Sequence, residues 1–195
     1  MIDYYLKLRK IEMIDIPDNY KEVYSPADIK DAVSRLGEKI FKWSEEVYKK
    51  TGDDVVVVPI MRGAIFFFTD LVREIGRSVY VAPVKASNYN PDTNEVLRIA
   101  DISIDGIPAK GKSILLLDDV CDSGVTLSQL TAKLLQAGAG EVKSAVLIMR
   151  ETGDKKFTPD YIGFHYHGPE WFVGYGLDDK ERYRNLPGVH VMIQE

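Results

Sequence analysis

The chain has one cysteine, Cys121, in 195 residues. A single thiol excludes an internal disulfide framework and a multi-cysteine zinc site, and Cys121 itself reads as a small buried apolar residue. Histidine is scarce as well, with three in the whole chain. His165 and His167 alternate and can face one side of a strand, but no third recognisable ligand accompanies them, so zinc is not expected. There is no excess of positive charge: 25 Lys and Arg stand against 30 Asp and Glu, a formal net charge of −5. That balance argues against a surface that coats nucleic acid and leaves room only for a local basic pocket. No apolar run approaches the roughly 18 residues of a membrane span. The first residues, MIDYYLKLRK, hold no long apolar stretch. Neither a signal peptide nor membrane attachment is therefore expected, and the cytoplasm is the default location. Internal repeats and low-complexity segments are missing too.

What remains is the composition of an ordinary globular protein, 45% hydrophobic and 28% charged, long enough for one domain with a substantial core. Residues 1–24 carry no clear pattern. Ser25 followed by Pro26 is a helix start, an N-cap with proline at the first helical position. Ile29, Val33, Leu36, Ile40 and Val47 follow at helical spacing, and Gly52 is a stop. The β-branched run Asp54–Ile60 reads as a buried strand, and Gly63 to about Ile75 as a helix. Tyr80–Lys85 is the next expected strand, and a short strand is expected near Ile102–Ile104. Ser113–Asp118 is the central strand, the helix after it stops at Gly138, and Val142–Met149 is another strand. The C-terminal stretches PDYIGF, WFVGYGL and GVHVMI read as short strands. Strands alternating with helices predict an α/β fold, a mostly parallel sheet covered on both faces.

The most informative segment is ILLLDDVCDSGVTL, residues 114–127. Four apolar residues lead into the paired acids Asp118 and Asp119. Asp122, Ser123, Gly124, Val125 and Thr126 then turn into a helix. Backbone N–H groups at a helix N-terminus hold phosphate. The adjacent acids can accept hydrogen bonds from sugar hydroxyls or face a hydrated Mg²⁺. In parallel sheets ligands bind beyond the carboxyl ends of the strands, where this segment falls. A second motif, GIPAKGKS at residues 106–113, satisfies the P-loop pattern. A P-loop needs a strand before it and a helix starting at its Lys-Ser. Here Ser113 opens a strand and Pro108 sits inside the loop, so the segment is expected to be a surface turn.

The central motif resembles the diphosphate-sugar signature of the type I phosphoribosyltransferases. DVVVVPIMRGAIFFFTDL is similar to the strand, pyrophosphate loop and helix of hypoxanthine-guanine phosphoribosyltransferases. PDYIGF, then WFVGYGLDDKERYRNLPGV, resembles that subfamily's C-terminal hood over the base. The resemblance implies the type I fold in a single domain over 1–195, with a core of about 25–150 and a hood from 1–24 and 151–195. It implies that Asp118 and Asp119 face the ribose hydroxyls and the metal, and that Asp122 lies near N7 of the base as general base or acid. The loop from Asp122 to Thr126 would enclose the 5′-phosphate, with Ser123 where threonine is common. Arg62 and Gly63 match the Lys-Gly of the pyrophosphate loop, and Arg184 the arginine that binds pyrophosphate. Trp171 matches the aromatic stacked on the purine, and Phe172 a neighbour whose backbone contacts the base. Asp178 matches a carboxylate that reaches magnesium. Asn88 and Tyr89 match the Ser-Tyr pair of a mobile lid over 88–95, which would exclude water. Thr158 stands where the resemblance places a lysine that contacts the 6-oxo oxygen, with Lys155 and Lys156 nearby.

The activity so implied is Mg²⁺-dependent transfer of a phosphoribosyl group from 5-phosphoribosyl-1-pyrophosphate (PRPP) to hypoxanthine, guanine or xanthine, in a homodimer or homotetramer. A different base preference, or a nucleotide sensor or RNA-binding regulator on the same fold, are the competing readings. Net acidity disfavours RNA, and the presence of Asp122, Asp178 and Arg184 favours chemistry.

Overall fold

The computed structural model describes residues 14–85, 102–151 and 156–193. Asn88, Tyr89, Lys155 and the segment 1–13 lie outside the described residues.

Strand β1, Tyr20–Tyr24, leads into helix α1, Pro26–Thr51. The Ser25 hydroxyl accepts from the Asp28 amide at 3.2 Å, and the Asp28 carboxylate accepts from the Ser25 amide at 2.9 Å. This capping box satisfies two N-terminal donors at once. Gly52 ends the helix in the left-handed conformation, its amide donating to the Tyr48 carbonyl. Ile29, Val33, Leu36, Ile40, Trp43 and Val47 form the buried stripe. Strand β2, Val55–Met61, and helix α2, Ile65–Glu74, follow.

The stretch expected as one strand at Tyr80–Lys85 is two, β3 at Val79–Val81 and β4 at Val84–Lys85, both parallel to β2. Pro83, which has no N–H to give to a ladder, separates them. Residues 102–104 form no strand. The central strand β5 runs from Ser113 to Cys121, three residues beyond the predicted end at Asp118, and carries both acids within it. Helix α3 is Val125–Gln136, strand β6 Glu141–Arg150 and strand β7 Tyr161–Tyr166. The main sheet has the order β3-β2-β5-β6-β7 with β4 beside β2, and every pairing is parallel.

Alternation along the central strands fills both faces. Val55, Val57, Leu115 and Leu117 point into the core beneath α1 and α2. Val56, Val58, Ile114 and Leu116 point into the core beneath α3, with Leu127, Leu130 and Leu134. Cys121 is buried in that second core.

A second sheet is antiparallel, with β1 and β8 (Trp171–Val173) flanking β9 (Val189–Met192). It joins the two ends of the chain into the hood. Strand β7 belongs to the main sheet, pairing from Ala145–Tyr161 to Arg150–Tyr166. The main sheet thus includes a strand beyond residue 150, and the C-terminal part of the second sheet begins at Trp171. Residues 106–112 form turns without a helix, and Ser113 starts β5, so the P-loop pattern is a surface connection. Lys112 pairs with Asp53 at 2.6 Å instead of facing a phosphate site.

Candidate active site

Asp118 and Asp119 lie near the C-terminal end of β5, half-buried where the strand emerges from the sheet. The Asp119 amide donates to Asp118 Oδ1 at 3.0 Å, and the Val120 amide to Asp119 Oδ1 at 2.9 Å. Burial, then the neighbouring Asp119 charge, holds the Asp118 carboxyl well above the usual carboxylate range, and Asp122 adds to the same effect. Burial raises Asp119 too, opposed by hydrogen bonds from Asp118 and the Val120 amide and by the charge of Arg184. Two carboxyls this close take up a proton as a pair. A cation or a set of sugar hydroxyls at this point would relieve that repulsion.

A raised carboxyl pKa has a stability consequence. The folded state favours the protonated form, so this stabilisation is complete below the ordinary aspartate value of about 4 and lost as pH rises through the folded-state value. Asp118→Asn removes the charge. In metal-free buffer the variant is expected to melt above the wild type at pH 8, with the difference closing toward pH 3. Thermal melts across that range check the sign; equal melting at pH 8 would contradict it.

After Cys121 the chain turns through Asp122 and Ser123 to Gly124, which opens α3 in the left-handed conformation at φ 77°. The Ser128 amide closes the first helical bond on the Gly124 carbonyl at 2.9 Å. The amides of the first turn, around Val125 and Thr126, have no partner within the helix, as at any helix start. The Ser123 carbonyl accepts from the Lys156 amide at 2.9 Å, which ties the loop to the link before β7. Thr158 is exposed in that link.

Arg62 and Gly63 follow β2, the strand paired beside β5. The Met61–Arg62 peptide bond is cis. Gly63 approaches the acids so closely that an added Cβ would lie only 1.7 Å from Asp119 Oδ2. Across the site Arg184 donates to the Gly176 carbonyl at 2.7 Å and pairs with Asp178 at 2.8 Å. Gly176 lies directly against Gly63, because a Cβ there would overlap the Gly63 carbonyl. The segment after β8 and the loop after β2 are therefore in contact. Asp178 also accepts from the Glu181 amide at 2.8 Å, and its carbonyl accepts from Trp171 Nε1 at 2.6 Å. Trp171 is 53% exposed, an aromatic face open to solvent and held by one polar anchor, while Phe172 behind it is buried.

Two residues in this constellation carry no signal in the sequence. Arg150 ends β6 and donates through Nε to Asp122 Oδ1 at 2.6 Å. Its terminal nitrogens reach the carbonyls of Gly168 and of Glu170, the latter at 3.1 Å. Its guanidinium lies 4.4 Å from the centroid of Phe172. This one side chain, 11% exposed, joins the loop after β5 to the hood. Glu181 is the other, and it bridges Arg62 at 2.6 Å and Arg184 at 3.1 Å. The Arg184 hydrogen bond, and more weakly the Arg62 charge, hold its carboxyl below the usual range.

Among the described residues no group of three or more His, Cys, Asp or Glu side chains is arranged to hold a metal ion alone. Asp118 and Asp119, adjacent near the end of β5, do offer a pair of hard oxygen donors. Mg²⁺ commonly takes one or two carboxylates and completes its shell with water and substrate phosphate, which suits this donor set.

A helix N-terminus after Asp122, the acidic pair before it, and Arg62 and Arg184 joined through Glu181 make up the candidate site. Residues 27–180 match the model of the phosphoribosyl transferase domain, and the chain belongs to that family. A hypoxanthine-guanine phosphoribosyltransferase of Aquifex aeolicus is 33% identical over 173 residues, 85% of this chain and 90% of that protein. A hypoxanthine phosphoribosyltransferase of Escherichia coli is 34% identical over 177 residues, 88% and 95% of the two. Within the family the chain thus falls among the hypoxanthine-guanine phosphoribosyltransferases. A solved hypoxanthine-guanine phosphoribosyltransferase from Bacillus anthracis superposes with a TM-score of 0.71 at 28% identity, covering 92% of this chain and 100% of that one. A hypoxanthine-guanine-xanthine phosphoribosyltransferase gives 0.74 at 23% identity, a likeness of fold.

Proposed function

We propose that this protein transfers the 5-phosphoribosyl group of PRPP to a 6-oxopurine, giving the nucleoside monophosphate and pyrophosphate in purine salvage. The observation that carries the site assignment is the meeting of three chain segments: Gly63 against Asp119, Gly176 against Gly63, and the Asp122–Thr126 loop beside the acids.

In this reading the first-turn amides of α3 and the Ser123 and Thr126 hydroxyls bind the 5′-phosphate. Asp118 and Asp119 accept hydrogen bonds from the ribose hydroxyls. Arg62, Gly63 and Arg184 take the pyrophosphate. Trp171 covers one face of the purine and the Phe172 backbone meets its edge. Asp122 sits between the sugar and the base and handles the N7 proton. The transition state carries positive charge on the ribosyl ring and growing negative charge on the leaving group, so acids on one side and guanidiniums on the other stabilise both. Mg²⁺, held near Asp118, Asp119 and Asp178, would supply further charge stabilisation for the leaving group. Asn88 and Tyr89 would form the lid that keeps water from the activated sugar.

Thr158 is proposed as a weak, uncharged contact to the base. Arg150, which ties Asp122 to Gly168 and Glu170, adds a largely enclosed cation near the proposed catalytic acid. Base preference is decided by an assay with PRPP, Mg²⁺ and each of hypoxanthine, guanine, xanthine and adenine in turn. Turnover is expected with hypoxanthine and guanine and not with adenine. Failure with every base would end the enzymatic reading and favour a nucleotide-sensing regulator.

A cytoplasmic enzyme fits this role; no helix among the described residues is long and apolar enough to cross a membrane. Exposed Ile65, Phe66, Tyr80 and Val81, on α2 and the edge strand β3, supply apolar surface for self-association. Light scattering should show a dimer or tetramer.

A further inference from the structure

We propose that Glu181 stands in for pyrophosphate in the ligand-free protein, and that displacing its carboxylate sets the affinity for PRPP and for the pyrophosphate product. The inference rests on the reading of Arg62 and Arg184 as pyrophosphate ligands.

Its two carboxylate oxygens divide between two guanidiniums. Oε1 accepts from Arg62 Nη2 at 2.6 Å, and Oε2 accepts from Arg184 Nη2 at 3.1 Å. Arg62 belongs to the loop after β2 and Arg184 to the hood, so Glu181 is the anion that spans the mouth between them. Guanidiniums bind carboxylate and phosphate oxygens with the same donor geometry. A pyrophosphate that used both arginines would meet Glu181 in its place.

The turn that carries Glu181 is built to present it. Lys180, Glu181 and Tyr183 have φ of 49°, 65° and 64°, in the left-handed region that residues with a Cβ seldom adopt. Asp179 and Arg182 exchange backbone hydrogen bonds of 3.2 and 2.9 Å across it, and the Glu181 amide is fixed to Asp178 at 2.8 Å. The backbone is thus held independently of the carboxylate, which can swing out without loss of the turn. Arg184 would also stay in place, because Gly176 at 2.7 Å and Asp178 at 2.8 Å still hold it. The Arg62–Glu181 pair is weakly held by contrast, with side chains 60% and 61% exposed. Exposed pairs are worth at most about fivefold in an equilibrium constant, which makes this a contact that a polyanion can displace.

A stand-in and a scaffold predict opposite signs. If Glu181 merely oriented the two arginines, neutralising it would weaken pyrophosphate binding. As a competitor, its removal strengthens it. Titration calorimetry of inorganic pyrophosphate with Mg²⁺ into the full chain should give binding about fivefold tighter in Glu181→Gln than in the wild type. The KM for PRPP should fall in parallel, while kcat holds or drops as pyrophosphate leaves more slowly. Glu181→Ala, which has no amide left to bond either arginine, should behave the same way. Unchanged or weaker pyrophosphate binding in both variants would overturn the proposal. Arg184→Gln separates the two levels: it should weaken pyrophosphate binding about tenfold or more, and if it does not, the pyrophosphate site itself is misassigned and the stand-in falls with it.

Discussion

Asp122→Asn lowers kcat by about 10²- to 10⁴-fold, the span that a positioned proton carrier contributes. The amide has the shape of the carboxylate and keeps an oxygen that can accept from Arg150 Nε, now at 2.6 Å from Oδ1. The loop into α3 therefore stays where it is, with the Gly124 carbonyl still closing the first helical turn. What the amide cannot do is carry the N7 proton. PRPP binding should change by less than about threefold, because the groups proposed to hold the phosphate and the ribose, α3, Asp118 and Asp119, are left untouched. A loss in kcat with PRPP affinity retained assigns the proton to Asp122. A loss of PRPP affinity with kcat preserved would assign Asp122 to sugar binding instead, and unchanged kinetics would remove it from the site.

The contrast between Asp122 and Arg150 shows what a sequence can display. Asp118–Thr126 is legible because it is local: acids, turn and helix start occur within nine consecutive residues, and the chemistry needs them in that order. The capping box at Ser25–Asp28 is legible for the same reason. Arg150 looks like the polar end of a strand. Its role exists only once the hood folds back and brings Gly168 and Glu170 onto it, while Asp122 comes from 28 residues upstream. Glu181 is harder still, because its partner Arg62 is 119 residues away. Strand β1 had no pattern of its own because it pairs with β9, from the other end of the chain, and has that one neighbour among the described residues. The extension of β5 through both acids follows from β6, whose Ile148 and Met149 pair with Val120 and Cys121 and carry the ladder past the motif.

Gly63→Ala is expected to cost the protein both activity and stability, because a Cβ there has no room beside Asp119. Its backbone needs no left-handed φ, so the restriction is one of space alone. The added Cβ would land on Asp119 Oδ2, and relief requires either Asp119 to turn away or the Arg62–Gly63 loop to lift. Each movement damages the site. Turning Asp119 breaks the 2.9 Å hydrogen bond from the Val120 amide and moves the proposed ribose acceptor. Lifting the loop disturbs the close packing of the Gly63 carbonyl on Gly176 and carries Arg62 with it. A displacement of about 1 Å in a site of this kind costs on the order of 10²-fold in kcat/KM. Overpacking should also lower stability by about 1–3 kcal/mol. A double-mutant cycle in denaturant unfolding isolates the cause. With Asp119→Ala as background the obstructing carboxylate is gone, and the stability cost of Gly63→Ala should shrink by more than about 0.5 kcal/mol, beyond the additivity expected of independent sites. Additive losses would mean that the methyl group meets something other than Asp119, and that the loop and the acidic pair are not in contact as described.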